Sequence, residues 1–280
     1  APSPAAAGGG PAPAAAAGSG GGAAAGPGTG AGSGTGAGTG PGQPAPAPPA
    51  PAAPADWGAP VLVENFDGTQ LDQSRWWIYD SPHAHDFPRS PSRVSVAGGM
   101  LRLTGGFDAS GADISGGVAS KLNMLYGRWE ATFRVERGSG YSAVVLLWPQ
   151  SENWPTDGEI DVAEVTEGHR QGAAINLHNG PENRVLGHIM PGDFTQWHTV
   201  AVEWLPQRVT VLLDGQPQWT VTRPASGFNY IPSTSPMHIA LQLDRGCVYN
   251  LPCRNAQTPP QVTMYVDQVR AWRAPAAMLG

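Results

Sequence analysis

The sequence predicts an all-β domain, a sandwich or barrel of antiparallel strands, behind a linker of low complexity. Short apolar runs with a two-residue period recur from residue 61 to residue 272, separated by turns rich in Gly, Pro, Asn and Asp. Apolar residues nowhere hold a 3.6-residue period over three turns, so helices are expected to be minor. Residues 1–55 carry no charge, no aromatic ring and no large aliphatic side chain, so they offer no core to offset the entropy of ordering.

The 38 glycines and 29 prolines of the 280-residue chain concentrate in that leading segment. Its Gly/Ser/Thr part reads as disordered, flexible coil and residues 44–54 as stiffer polyproline II, with a coil reach of only ~40 Å. A tether holding a domain off a surface and low-complexity sequence without a role both fit. Residues 56–280 then form a single domain, long enough for one substantial core and short for two. The net charge is −6 with no basic cluster, so neither nucleic acid nor an anionic membrane is an expected partner. The longest apolar run, residues 143–148, is far too short to span a bilayer. The chain starts at Ala1 without Met or a signal-like segment, as a mature or trimmed chain does, and a monomer is expected.

Val61, Leu62 and Val63 open the first strand, and Glu64 to Gly68 turn out of it. Val94 to Val96 and Leu101 to Leu103 flank Ala97-Gly98-Gly99-Met100, a hairpin signal. The cleanest alternation follows: Trp129, Ala131, Phe133 and Val135 on one face, Arg128, Glu130, Thr132, Arg134 and Glu136 on the other, which predicts a strand wet on one side. Residues 141–148 are apolar on both sides and predict a central, buried strand.

Directly after it comes Trp154-Pro155-Thr156-Asp157-Gly158, a turn, and then Glu159-Ile160-Asp161-Val162-Ala163-Glu164. The two-residue period sends Glu159 and Asp161 to one face and Ile160 and Val162 to the other. Glu164 breaks the parity, and on a regular strand it would point into apolar surroundings, where an unpaired carboxylate is costly. One extra residue at Val162-Ala163, a β-bulge, returns it to the face of the other two acids. Neighbouring acids ~7 Å apart repel by roughly 2 kcal/mol at an effective dielectric of ~20, so one of them is expected to hold a proton near neutral pH. An ionised and a protonated carboxyl side by side are what glycoside hydrolysis with retention requires. Taken alone, the hexapeptide also fits a solvent-facing edge strand with charges for solubility.

Further along, Ile175 and Leu177 alternate with Asn176 and His178, the first pair inward and the second outward. Residues 197–204 and 209–213 make two strands, and Asp214-Gly215 closes a hairpin onto residues 218–222. Residues 239–243 and 262–272 complete the set. Cys247 and Cys253 share one loop, CVYNLPC, whose spacing permits a small disulfide-closed ring and an oxidising compartment; two thiols alone make a weak metal site. His83 and His85 are likewise a poor zinc signal without further ligands.

The turn Trp154-Pro155 followed by Glu-x-Asp-x-x-Glu resembles the signature of glycoside hydrolase family 16, the laminarinase and lichenase-like enzymes, in its bulged form. Phe66-Asp67-Gly68, Tyr126-Gly127-Arg128-Trp129-Glu130-Ala131, Gln196-Trp197-His198-Thr199, Leu213-Asp214-Gly215 and Val266-Asp267-Gln268-Val269-Arg270 look like further family landmarks in the family's order. The resemblance implies a β-jelly roll of two curved antiparallel sheets, concanavalin A-like, with a polysaccharide cleft on the concave face. It assigns Glu159 as nucleophile, Asp161 as its assistant and Glu164 as acid/base. It requires no cofactor; a structural calcium occurs in some members, and Asp267 matches a position that can ligate it. The segments 146–149, 151–155 and 236–244 are similar to a secreted actinobacterial branch, which implies an extracellular or cell-wall-associated enzyme.

Around the acids, Trp154 and Trp148 offer flat faces for sugar rings, against plain packing in the loop or core. Tyr141 stands where the family has a tryptophan and is expected to serve similarly. Asn176, His178 and Gln242 are expected to line the cleft, with a structural, hydrogen-bonded histidine as the competing account of His178. Two departures from the commoner laminarinase pattern fall near substrate subsites: Val145 stands for a tryptophan, and Gln242 to Cys247 replace a Gly-rich run. The expected activity is endo-acting, retaining hydrolysis of a β-linked glucan or galactan. A non-catalytic glycan-binding module on the same fold and a transglycosylase are the alternatives these residues leave open.

Overall fold

The computed structural model describes residues 47–52 and 55–280. The linker expected over residues 1–55 thus falls mostly outside the described residues. Within it, residues 47–52 lie against the domain, where the Pro51 carbonyl accepts a hydrogen bond from Arg270 at 2.6 Å.

The described chain folds as strands β1 (Leu62–Glu64), β2 (Trp76–Ile78), β3 (Val94–Val96), β4 (Leu101–Phe107), β5 (Asp113–Ile114), β6 (Gly117–Ser120), β7 (Gly127–Val135), β8 (Tyr141–Pro149), β9 (Glu159–Val165), β10 (Gly172–Asn179), β11 (Arg184–Pro191), β12 (His198–Leu205), β13 (Arg208–Leu213), β14 (Gln216–Thr222), β15 (Met237–Arg245) and β16 (Gln261–Arg273). Among the described residues helix is confined to three short 3-10 turns. The strands form two antiparallel sheets. One runs β14-β13-β12-β7-β16-β4-β3, with β1 also on β16 and β5 on β4; the other runs β11-β10-β9-β8-β15-β6-β2. This is the sandwich the alternating pattern predicts. The expected strands are present, with bounds that differ by a few residues; β2, β5, β6 and β11 are additions, being short or polar.

The core lies between the sheets. Trp129, Ala131, Phe133 and Val135 of β7 face Ala143, Val145 and Leu147 of β8, Ile160 and Val162 of β9, and Ile175 and Leu177 of β10 across it. Each such side chain removed from water contributes roughly 1.5–3 kcal/mol. The other face of β7 is not wet as expected, for Arg128, Glu130 and Thr132 are all buried. Arg128 donates to Glu130 Oε1 (2.6 and 2.8 Å) and to Glu203 Oε1 (2.5 Å), and Arg270 donates to Glu130 Oε2 (2.5 Å). Trp272 lies under both guanidinium groups. Charges paired in this way are tolerated out of water, so a polar face became a dry one. Cys247 and Cys253 form a disulfide, as their spacing permits.

Candidate active site

The acids of β9 converge because of one irregularity. On the β10 side Ala174 pairs with Glu164 and Asn176 with Asp161; on the β8 side Val145 pairs with Ala163 and Leu146 with Asp161. Both neighbours advance by one fewer residue than β9, which places a β-bulge at Val162-Ala163. Ile160, Val162, Ala163 and Val165 all pack into the inter-sheet core, which leaves Glu159, Asp161 and Glu164 on the outer face of the seven-stranded sheet. Both ends of the strand are pinned. Before it, Gly158 has φ +80, and a Cβ there would meet the His178 carbonyl and Pro232 at 2.7 Å, so only glycine fits. After it, the buried Arg170 guanidinium donates to the carbonyls of Glu136, Gly138, Tyr141 and Val165. Burial lowers that guanidinium to about 10.

All three acids are buried, Glu164 being the most open at 6 %. The Trp154 indole N–H donates to Glu159 Oε2 at 2.7 Å, while Glu159 Oε1 has no protein partner. Asn176 Nδ2 donates to Glu164 Oε2 at 2.5 Å. His178 Nε2 lies 3.2 Å from Asp161 Oδ2, and its Nδ1 is 2.8 Å from Asn183 Oδ1. Burial, then the charges of Asp161 and Glu164, push Glu159 well above the usual carboxylate range, against the pull of the Trp154 N–H. Burial and then Asp161 do the same to Glu164, with Asn176 opposing. Burial favours neutral His178, but Asp161 and Asn183 outweigh it and raise its proton affinity. Burial and mutual repulsion thus both raise the proton affinity of Glu159 and Glu164, so ionising one of them makes ionising the other costlier.

Not every expected residue joins this group. Trp154 is half-buried and stacks on Trp148 with ring centroids 6.2 Å apart at 14°; its edge serves Glu159 and its ring lies against His178. Trp148 is buried, its N–H donating to Glu152, and it backs Trp154 in the stack. Tyr141 is a correction. It shares the parity of Ala143, Val145 and Leu147, sits in the inter-sheet core at 1 % exposure against Gly105, and bonds Asp113 and Arg254 through its hydroxyl, away from the acids. Gln242 faces the acid side, two strands from Glu164 through Val144, but its Oε1 is taken by Arg89. His83 and His85 are exposed in the loop before Arg89.

Arg89 and Asp244 were not read from the sequence as site residues. The buried Arg89 guanidinium donates to Asp244 Oδ1 at 3.0 and 2.6 Å and to Gln242 at 2.8 Å, and lies within 5.4 Å of the Tyr79 and Phe87 rings. Arg89 belongs to a loop without periodicity, so nothing local announces it. Among the described residues, Glu159, Asp161 and His178 offer ligand atoms within 4.8 Å of one another, close enough for one cation. On the other sheet, Asp67 and Asp267 share a hollow of ≈ 380 Å³ with Asn65 and Gln268, and burial followed by the Asp67 charge raises Asp267.

Comparisons with known proteins agree with this arrangement. A model of the glycosyl hydrolases family 16 matches residues 82–267. A β-glucanase of Rhodothermus marinus is 24% identical over 241 residues, 76% of this chain and 84% of that protein. A glucan endo-1,3-β-glucosidase of Cryptopygus antarcticus is 31% identical over 111 residues, 35% of this chain and 40% of its own. In structure, the laminarinase catalytic domain of Thermotoga maritima superposes with a TM-score of 0.68 at 19% identity, covering 78% of this chain and 98% of that one. With the family model spanning the acid strand, the bulge and both sheets, the chain belongs to glycosyl hydrolase family 16 and is a glycoside hydrolase.

Proposed function

We propose that the chain is a secreted, endo-acting glycosidase that cleaves a β-linked glucan with retention of configuration. The observation that carries this is the bulge at Val162-Ala163, which turns Glu164 to the side of Glu159 and Asp161. In this reading protonated Glu164 donates its proton to the leaving glycosidic oxygen while Glu159 attacks the anomeric carbon through Oε1, the oxygen with no protein partner. Asp161 and His178 sit behind the nucleophile and balance its charge as the glycosyl ester forms. Glu164, now ionised and held by Asn176, then takes a proton from the incoming water, whose oxygen displaces Glu159. No step requires a cofactor. Glucan is favoured over galactan by the relatives, two of which are glucan-cleaving enzymes.

Secretion rests on the Cys247–Cys253 disulfide and on the likeness of segments 146–149, 151–155 and 236–244 to an actinobacterial branch. Asp67 and Asp267 would hold a structural calcium on the face away from the acids, with oxygen ligands of the hard type that ion takes. A second reading, transglycosylation, is favoured by one relative, a xyloglucan endotransglucosylase of Diospyros kaki, 32% identical over 133 residues. It differs only in which hydroxyl intercepts the intermediate.

The test is reducing-end release from a panel of β-1,3-, mixed-linkage and galactan polymers by wild type and Glu159→Gln, with the first-formed anomer followed by NMR. Wild type is expected to release the β-anomer from a glucan and the variant nothing. Unchanged turnover in the variant, or the α-anomer first, overturns the assignment. Added oligosaccharide acceptors that lengthen the products would favour transfer over hydrolysis.

A further inference from the structure

Beside the acid strand, Arg89, Ser142, Gln242 and Asp244 are packed out of water without belonging to it. Their place follows from parity. Val144 of β8 and Ala240 of β15 belong to the apolar cluster on the outer face, so Ser142, Gln242 and Asp244, an even number of residues away, share the face of the acids. Glu164 is opposite Val144 and Val144 opposite Gln242, while Ser142 and Asp244 pair in the next row of that face. Two inter-strand steps and one pleat repeat put the Glu164 and Asp244 backbones ~12 Å apart. The space between them is dry. Val144 and Ser142 are each 3% exposed, and the Ser142 hydroxyl has no protein partner among the described residues.

A charge on Asp244 therefore acts on Glu164 across protein and little water. At ~12 Å and an effective dielectric of ~20, two like charges repel enough to shift a titration by about one pH unit. Asp244 does not act alone. Arg89 is held by backbone pairing with Ser81 and Ser115, and its guanidinium donates to Asp244 Oδ1 from Nε at 3.0 Å and from Nη2 at 2.6 Å. Burial raises the proton affinity of Asp244 and Arg89 opposes it, so the pair stays ionised and is neutral as a whole. The remaining titratable groups on this face near Glu164 are Glu159 and Asp161 on its own strand and His178 on β10; Asn176, Ser142 and Val144 carry no charge. Burial keeps Arg89 and Asp244 from a bound sugar, and what they offer the reaction is charge.

We propose that Arg89 and Asp244 are positioning residues for Glu164: as a neutral pair they set the field at its carboxyl, and with it the pH range over which it can donate a proton. The inference rests on the acid/base role given to Glu164 above. Removing the Asp244 charge alone leaves the Arg89 cation unbalanced. A cation favours ionised Glu164, so its proton is lost at lower pH. Removing the Arg89 charge alone leaves the Asp244 anion, which acts the other way. Removing both restores the balance.

The experiment titrates Glu164 in the full chain in two ways: kcat/KM against pH on a soluble β-glucan, and 13C NMR of the labelled carboxyl, assigned by its absence in Glu164→Gln. Asp244→Asn keeps an oxygen for Arg89 and is expected to lower the carboxyl titration and the alkaline limb by about one pH unit. Arg89→Met should raise both, and the two substitutions together should return both to wild type. Arg89→Lys should leave both in place, since it keeps the charge and gives up the planar fork. A merely structural pair would lose activity at every pH without moving the limb. A carboxyl titration unmoved in Asp244→Asn, or moved equally in the double variant, overturns the coupling. If Asp244→Asn does not fold, Arg89→Met carries the same test with the opposite sign, and an unmoved or lowered titration there overturns it. A carboxyl that shifts while the alkaline limb stays supports the coupling and overturns Glu164 as the acid/base of the proposed mechanism.

Discussion

Replacing Trp154 by Phe removes one hydrogen-bond donor from Glu159, the nucleophile of the proposed mechanism. The phenyl ring keeps most of the stack on Trp148, but the N–H that donates to Glu159 Oε2 at 2.7 Å is gone. A hydrogen bond to a charged group contributes ~1.5–3 kcal/mol, which corresponds to about 10- to 100-fold in the population of the ionised form. The sign follows from the site. Burial, Asp161 and Glu164 already raise the proton affinity of Glu159, and the indole N–H is the contact that opposes them. Without it Glu159 holds its proton to higher pH, so the acidic limb of the kcat/KM profile moves up. Below that limb the variant should lose about 10- to 100-fold; above it, where a more basic carboxylate is also the better nucleophile, activity should return toward wild type. The alkaline limb, which the proposed mechanism assigns to Glu164, should stay in place, so the bell narrows from its acidic side. The assay is kcat/KM against pH on a soluble β-glucan. An equal loss at every pH would mean that Trp154 only packs, and an unshifted acidic limb would refute its hold on the nucleophile.

Asn176→Ala should act on the opposite limb, because its amide stabilises ionised Glu164. The alkaline limb is expected to move up while kcat falls about tenfold, the effect of a lost ~1.5 kcal/mol donor, read from the same profile. Stability should follow the buried acids as well. Glu159 and Glu164 both have proton affinities raised by folding, so their contribution is complete below the unfolded carboxylate range and is lost as pH rises through the folded values. Wild type should therefore melt lower at pH 8 than at pH 5, and Glu164→Gln should flatten that slope and melt higher at pH 8. Reducing the Cys247–Cys253 bond opens a ring closed over a separation of six residues, worth about 2 kcal/mol by chain entropy, and should lower Tm by about 4–8 °C in a scan with reductant.

The strand pattern was legible wherever one face is buried and the other polar. β7 announces itself by alternation, and the bulge in β9 follows from a single parity violation at Glu164, since a carboxylate on the core side would have had no partner. The same rule gave no help in β8. Residues 141–148 are apolar on both faces because one packs in the inter-sheet core and the other floors the acid side. Which of them faces the acids depends on register, and register is not written in the strand. Tyr141 was placed on the sugar side by resemblance and lies on the core side for that reason.

The buried polar groups show the same limit from the other direction. Arg89 reaches Asp244 across 155 positions of sequence, and Arg128 finds Glu203 across 75. Each looks solvent-facing until its partner arrives, because a lone arginine gives no sign of what will neutralise it. Trp77 belongs to this class. Beside Trp76 it reads as half of a hydrophobic pair, yet Trp76 enters the core while Trp77 turns outward, three strands beyond the central strand that supplies Leu146. The acid cluster is local and could be read from six consecutive residues, because Glu159, Asp161 and Glu164 share one strand. The surroundings of the site are set by pairing among β9, β8, β15, β6 and β2, whose segments lie as far apart in sequence as residues 77 and 240. For that reason the three acids could be read from the strand alone, and the groups packed around them only from the sheet.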